Sequence, residues 1–388
     1  RRVLFRSHVL DAAIDPALSA RGRAYADRTG QLSANAATFE DFLDGVRDIA
    51  RDEKFLVGLR TMSQALDPGE AARAYTDLAD AILDSCLTRV TIDFQREFGV
   101  CAGGRCVVVG LGKLGSREMT ASSDLDLVLI YDFDDERPDS SGPKSLHAVQ
   151  YFTRLTQRLV SALTVATRRG ELYEVDMRLR PSGSKGPVAT QLRAFVDYQT
   201  NEAETWEHMA LTRARVVCGD ASLALDVTRA IRAVLARQRD EGALKTAARD
   251  MRRLIAQEKG DDDPWDLKLA SGGLIDIEFI AQFLVLRHAA ERAEIIDAAT
   301  TGAIEKARKF GFLRREDAEL AREAHALYGA VTQMLRLSIH GSFDPKAAAP
   351  GVLRRIASVA GFPDFRGLGR ELAGTRKSVR AIFERLLA

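Results

Sequence analysis

The sequence predicts an α-rich α+β chain, with a small α/β unit set between helical segments and followed by an all-α region. Three observations predict it. Apolar residues recur at spacings of three and four before about residue 100 and again beyond residue 194. A β-branched run, Cys106-Val107-Val108-Val109, is closed by Gly110, Gly112 and Gly115, and a second apolar run follows at 125–131. Residues 173–180 then alternate strictly between apolar and charged, as a half-buried strand does.

Taken in order, 38–99 reads as helices because Leu78, Ile82, Leu83, Leu87, Val90 and Phe94 fall on one helical stripe. A strand at 105–109 enters a glycine loop that opens a short helix, and the 125–131 strand ends in an acidic, Pro- and Gly-containing loop at 132–145. Helical spacing returns at 149–167 through Phe152, Leu155, Leu159 and Leu163. Beyond the alternating strand, helices are expected at 220–241, 244–259, 275–290, 303–310, 315–339 and 366–387, with breaks at Pro264 and at 345–350. The domain boundaries drawn from this pattern are 1–100, 101–217 and 218–388. There is no internal repeat.

The 388 residues suit two or three domains at roughly 150 residues each. With 46% hydrophobic and 29% charged residues and only 29 Gly and 10 Pro, the chain is neither collagen-like nor disordered. Its 56 basic and 55 acidic residues nearly cancel, which argues against a chain built to neutralise nucleic acid or an anionic membrane. Four cysteines without a Cys-x-x-Cys pair make no disulfide framework, and no apolar run reaches the ~18 residues of a membrane span. The segment 1–16 lacks the apolar core of a signal peptide, so a cytoplasmic protein is expected, and opening on Arg1 suggests that an N-terminal portion precedes it.

Chemistry concentrates in the α/β unit. Asp124 and Asp126 sit two apart in a strand, so both carboxylates project from one face and suit a pair of hard divalent cations. Asp-x-Asp also occurs at ordinary solvated strand ends. In the alternating strand Glu174, Asp176, Arg178 and Arg180 share one face; Asp176 is placed to complete a metal site, and the two arginines to meet phosphates with planar forks. The competing reading is a salt-bridged edge strand. The loop Gly110-Leu111-Gly112-Lys113-Leu114-Gly115-Ser116 follows a strand and opens a helix, as phosphate-binding loops do, yet it is neither a Walker A sequence nor Gly-x-Gly-x-x-Gly. Ser123, with Ser122, either joins this site or satisfies turn amides.

Asp276 and Glu278 follow Gly272-Gly273 at an expected helix start, where acids favour the helix dipole. Asp276 is also a candidate nucleotide contact. Trp206-Glu207-His208 and Arg213-Ala214-Arg215 are expected on one helix, with His208 packed and with Glu207 and Arg213 bracing the Asp176 strand. Asp261, Asp262 and Asp263 read as a solvated loop, and His147, His288, His325 and His340 lack zinc-ligand spacing.

The glycine loop, Ser-Asp-Leu-Asp-Leu and the later carboxylate strand resemble the nucleotidyltransferase superfamily that includes DNA polymerase beta. Longer strings, GLGKLGSREMTASSDLDLVLIYD, LYEVDMRLRPSG, FVDYQTNEAETWEHMALTRARVV and LASGGLIDIEFIAQFLVLRHA, resemble the glutamine synthetase adenylyltransferase family over about 75–340. That family carries two catalytic halves, one removing AMP from glutamine synthetase by phosphorolysis and one transferring AMP from ATP to a glutamine synthetase tyrosine. The strings resemble the second, adenylylating half. Ser116 departs from the family, which often has glycine there.

The resemblance implies a polymerase-beta-like nucleotidyltransferase domain at 101–217, a helical lead-in before it and a helical-bundle domain after it. It implies Asp124, Asp126 and Asp176 as catalytic metal ligands for two Mg²⁺ ions, with Mn²⁺ as a substitute. ATP would be held by Gly110, Gly112, Lys113, Gly115, Ser116, Ser123, Arg178, Arg180 and Asp276. Glutamine synthetase and a PII signalling protein are the implied partners, with no nucleic acid or membrane. Competing readings are uridylyl transfer to PII, nucleotide addition to an RNA end, and a PII-sensing helical docking module.

Overall fold

The computed structural model describes residues 22–339 and 341–387. Expectations for 1–21 and for His340 lie outside the described residues. The chain is an α-rich α+β structure with a small mixed sheet.

The first helices are α1 (Gly22–Asn35), α2 (Phe39–Met62) and α3 (Pro68–Phe98), the last two within the stretch 38–99 read as helical. Helix α3 starts at a capping box in which the Asp67 carboxylate accepts the Gly69 and Glu70 amides at 2.8 and 3.3 Å, with Pro68 just inside. It ends at Gly99, whose φ of +74° few side chains tolerate. The chain then enters β1 (Arg105–Gly110), the one-turn helix α4 (Gly112–Ser116), β2 (Leu125–Asp132) and α5 (Ala148–Thr164).

Strands β3 (Val175–Asp176) and β4 (Ala189–Gln191) both lie parallel along one edge of β2, while β1 pairs antiparallel with the other edge. After β4 come α6 (Leu192–Asn201), α7 (Thr205–Leu211) and β5 (Arg215–Gly219), which pairs antiparallel with β1. The remaining helices are α8 (Ala221–Leu235), α9 (Glu241–Lys259), α10 (Leu274–His288), α11 (Thr300–Lys309), α12 (Arg315–Ser338), α13 (Pro350–Val359) and α14 (Phe365–Leu387).

Three expectations change. The strand expected at 173–180 is paired only at Val175 and Asp176, because the Asp176 carboxylate captures the Arg178 amide at 2.8 Å and turns the chain. Arg178 and Arg180 therefore do not continue a strand face. Helix α7 stops at Leu211, so Arg213 follows it in a turn and Arg215 opens β5, a strand hidden in a stretch read as helical. The boundary expected at 217 falls inside β5.

The sheet is buried on both faces. Leu125, Leu127, Leu129 and Tyr131 of β2 join a core with α1, α2, α3 and α5, while Val128 and Ile130 join a second core built from helices α6 to α14. Two-sided burial explains why β1 and β2 read as continuous apolar runs. Asp126 shares the Val128 and Ile130 face, where the strand end meets the later helices.

The lead-in is bolted to the turn that leads into β3. Arg47, buried in α2, donates to the carbonyls of Gly170 (2.9 Å), Leu43 (3.0 Å), Ala162 (3.1 Å) and Val165 (2.7 Å). Asp44 accepts from Thr167 and Arg168, both at 3.0 Å. Removing a buried guanidinium orphans several carbonyls. Arg47→Ala should lower the unfolding free energy by about 2–4 kcal/mol in urea titration and raise amide exchange at 165–170. A loss under about 0.5 kcal/mol, within the range of ordinary surface substitutions, would show that the turn does not depend on it.

Candidate active site

Three carboxylates converge because of strand register. The parallel pairing sets Leu125 beside Val175 and Asp126 beside Asp176, with the Leu125 amide donating to the Glu174 carbonyl at 2.9 Å. Asp124 lies two residues before Asp126 and shares its face. One oxygen from each of Asp124, Asp126 and Asp176 falls within 4.8 Å of the others. Three hard oxygen donors without His or Cys suit Mg²⁺ or Mn²⁺.

The trio is electrostatically strained. Burial, then the charges of Asp124 and Asp176, push the Asp126 pKa up to about 6. Asp176 is held below the usual carboxylate range by Arg178, whose Nε and Nη2 lie 2.8 and 2.5 Å from Oδ2. Arg178 thus offsets the charge of one carboxylate of the set.

The glycine loop wraps this group. The Leu111 amide donates to the Asp126 carbonyl at 2.9 Å, and Gly112, at φ +50°, presses against the Asp126 carboxylate where a Cβ would overlap Oδ2. Lys113 lines a cavity behind the loop, and burial, followed by repulsion from Lys268, pushes its pKa down to about 8. Its ammonium makes no hydrogen bond or ion pair with any described residue.

Other loop residues serve packing. Gly110 ends β1 against Leu114 and Val217, and Gly115 leaves room for the Arg213 carbonyl. Ser116 is buried; its hydroxyl has the Gly112 carbonyl (3.0 Å) and Glu118 (2.9 Å) as alternative acceptors for its one proton and accepts from Arg213 Nη2 (2.7 Å). Ser123 receives the Thr120 amide at 2.9 Å, the turn role weighed for it. Arg180 donates to the carbonyls of Met177 (2.6 Å), Pro187 (3.1 Å), Ser184 and Gly186 (both 3.3 Å), so it shapes the 177–187 loop.

Asp276 is not at the site. It is 0% exposed, receives Arg252 Nε at 2.5 Å, the Gly272 amide at 2.8 Å and Arg380 Nη1 at 3.3 Å, and offers a ligand no surface. Its reading as a nucleotide contact gives way to a buried structural ion pair.

Residues that the sequence reading passed over, or gave another role, join the loop to the helices. Glu118 accepts from Arg213 Nη2 (2.8 Å) and from the Thr300 amide and hydroxyl (both 3.2 Å), with His325 Nε2 at 3.4 Å. Arg213 Nη1 meets Glu278 at 2.7 Å. Arg213 therefore braces the glycine loop and not the Asp176 strand. Glu207 does act on the loop after that strand, through Tyr198 at 2.8 Å, and His208 is packed against the Gln199 carbonyl at 2.9 Å. A cavity of about 690 Å³ lies behind the loop, lined by Lys113, Glu118, Glu278, His325 and Gln333, and contains none of the three carboxylates.

Two predictions follow from this electrostatics. A carboxyl whose pKa is raised on folding stabilises the fold below about pH 4, and that contribution is lost as pH rises through about 6. Asp126→Asn should therefore stabilise the metal-free chain at pH 7 by on the order of 1–3 kcal/mol and flatten stability between pH 4 and 6, read by urea titration. Destabilisation at pH 7 would contradict it. Gly112→Ala should weaken Mn²⁺ binding by about tenfold or more with the fold retained, because Asp126 must turn away from the new methyl group. Unchanged Mn²⁺ affinity would show that the close approach is dispensable.

Comparison with known proteins gives concordant matches. A family model described as glutamate-ammonia ligase adenylyltransferase matches residues 3–230, and one described as GlnD PII-uridylyltransferase matches 244–387. Bifunctional glutamine synthetase adenylyltransferase/adenylyl-removing enzymes of Rhodopseudomonas palustris, Bradyrhizobium diazoefficiens and Agrobacterium fabrum are 47%, 45% and 45% identical to it. These matches cover 98%, 98% and 97% of this chain but 39%, 38% and 39% of the relatives, so the chain spans about two-fifths of their length. With the first model covering more than half of its residues, the chain belongs to the glutamate-ammonia ligase adenylyltransferase family.

Proposed function

We propose that this chain transfers AMP from ATP to a tyrosine hydroxyl of glutamine synthetase and releases pyrophosphate, within a cytoplasmic system controlling nitrogen assimilation. The observation that carries the reading is the convergence of Asp124, Asp126 and Asp176 beside Gly112. The names of the relatives supply the substrate and the nucleotide. In this reading 101–217 is the nucleotidyltransferase unit of polymerase-beta type, 1–100 its helical lead-in and 218–388 a helical domain. The match at 244–387 includes none of the three carboxylates, so it bears on response to a PII protein and not on uridylyl chemistry.

The three aspartates would hold two Mg²⁺ ions, which supply charge neutralisation for the triphosphate and lower the pKa of the attacking hydroxyl. The chain's own residues arrange the rest. Gly112 keeps the Asp126 carboxylate in place, and Arg178 fixes Asp176 while offsetting one of the three charges. Lys113 offers an unpaired ammonium to the phosphates. The tyrosine oxygen bonds to the α-phosphorus as the bond to the bridging oxygen of the leaving pyrophosphate breaks, and the hydroxyl proton is released to water. Positioning and electrostatics carry the rate.

The test incubates the chain with unmodified glutamine synthetase, Mg²⁺ and labelled ATP beside an Asp124→Asn, Asp126→Asn variant. Label should appear on a glutamine synthetase tyrosine with the parent and fall by on the order of 10³-fold with the variant. Equal labelling would remove the carboxylates from the mechanism. Preferential labelling from UTP would replace the adenylyl reading.

A further inference from the structure

Helix α4 seats one of the three carboxylates at its start and is held by the helical region at its end. At the start the Leu111 amide donates to the Asp126 carbonyl at 2.9 Å, and Gly112 lies against the Asp126 carboxylate. Among the described residues no hydrogen-bond donor reaches that carboxylate, so the Gly112 backbone is what limits its position. The helix is a single turn, about 6 Å from Gly112 to Ser116 at ~1.5 Å per residue, and a displacement of one end is carried to the other.

The segment 213–215 grips the far end of α4. The Arg213 carbonyl faces Gly115 so closely that a Cβ there would overlap it. The Arg213 guanidinium donates through Nη2 to Ser116 at 2.7 Å and to Glu118 at 2.8 Å, and Arg215 Nη2 donates to the Leu114 carbonyl at 3.1 Å. Arg213 is held in turn by the helical region, since its Nη1 meets Glu278 of α10 at 2.7 Å. Thr300 of α11 and His325 of α12 hold Glu118 likewise, at 3.2 and 3.4 Å. The side chains of Arg213 and Glu278 are only 9% and 13% exposed, so water competes little for the pair. A planar guanidinium committed at both Nη atoms has one orientation, which makes the pair a rigid strut between α10 and α4.

Resting on the reading of Asp124, Asp126 and Asp176 as a divalent-metal site, we propose that Arg213 and Glu278 are positioning residues for it. The ion pair from α10 sets the pose of α4, and α4 sets where the Asp126 carboxylate meets the cation. Metal affinity at the aspartates is thereby tied to the placement of a helix that supplies no ligand. The experiment titrates the full chain with Mn²⁺, following the free ion by electron paramagnetic resonance, beside urea titration of each variant without metal. Glu278→Gln keeps the shape of the side chain and removes its charge; it should weaken Mn²⁺ about tenfold, as loss of a ligand-orienting partner does, with a cooperative urea transition retained. Ser116→Ala removes the hydroxyl that Arg213 grips and should also weaken Mn²⁺. The double variant should lose little more than the worse single variant, because both changes break one chain of contacts. A double-variant loss equal to the product of the two single losses would mean independent structural damage and overturn the inference, as would unchanged Mn²⁺ affinity in either single variant. A parent chain that binds no Mn²⁺ overturns the metal-site reading itself, a result separate from failure of the ion pair.

Discussion

Strand β2 is packed against apolar cores on both faces, and the placement of every candidate site residue depends on its register. Alternate residues face opposite cores: Leu125, Leu127, Leu129 and Tyr131 one way, Val128 and Ile130 the other. A slip of one residue would send Asp126 into the core with α3 and α5, where an uncompensated carboxylate is strongly unfavourable. The same register sets Asp126 beside Asp176 on β3 and brings Gly110 of β1 opposite Leu127. Hydrophobic burial thus fixes the strand, and the strand fixes the carboxylates.

The ions between the glycine loop and the later helices serve a different purpose. Glu118, Arg213 and Glu278 are mostly buried, and for Glu118 and Arg213 burial works against the charge before the partners restore it; the outcome for Glu118 is a pKa lowered to about 2. A buried network of this kind contributes little net stability compared with an apolar contact, but it tolerates few alternative geometries. It ties Ser116 at the end of α4 to α10, α11 and α12 through contacts of 2.7–3.4 Å. The Asp276 cluster does the same for the loop before α10. Position, and not stability, is what these charges supply.

Much of this was legible in the sequence where the signal is local. Two-sided burial left β1 and β2 as apolar runs closed by glycines, and the period of two put Asp124 and Asp126 on one face. The alternation at 173–180 found Asp176 but overstated the strand, since the turn made by Asp176 itself is a side-chain event. Strand β5 was missed because five residues between helices carry too little periodicity, and its ladder is supplied by β1, about a hundred residues earlier. Long-range partners hid the rest. Gly115 and Ser116 read identically whether they face a phosphate or Arg213, and Asp276 has partners 24 and 104 residues away.

The carboxylate group is unbalanced in charge, and the imbalance is informative. Three carboxylates crowd together with a single arginine paired to them, and burial, then that crowding, raises the Asp126 pKa to about 6. Gly112 and Leu111 hold Asp126 in that company, so the crowding costs the metal-free chain free energy that is recovered by a ligand presenting cations to the aspartates. On the proposed reading a metal–nucleotide complex has that pattern of charge.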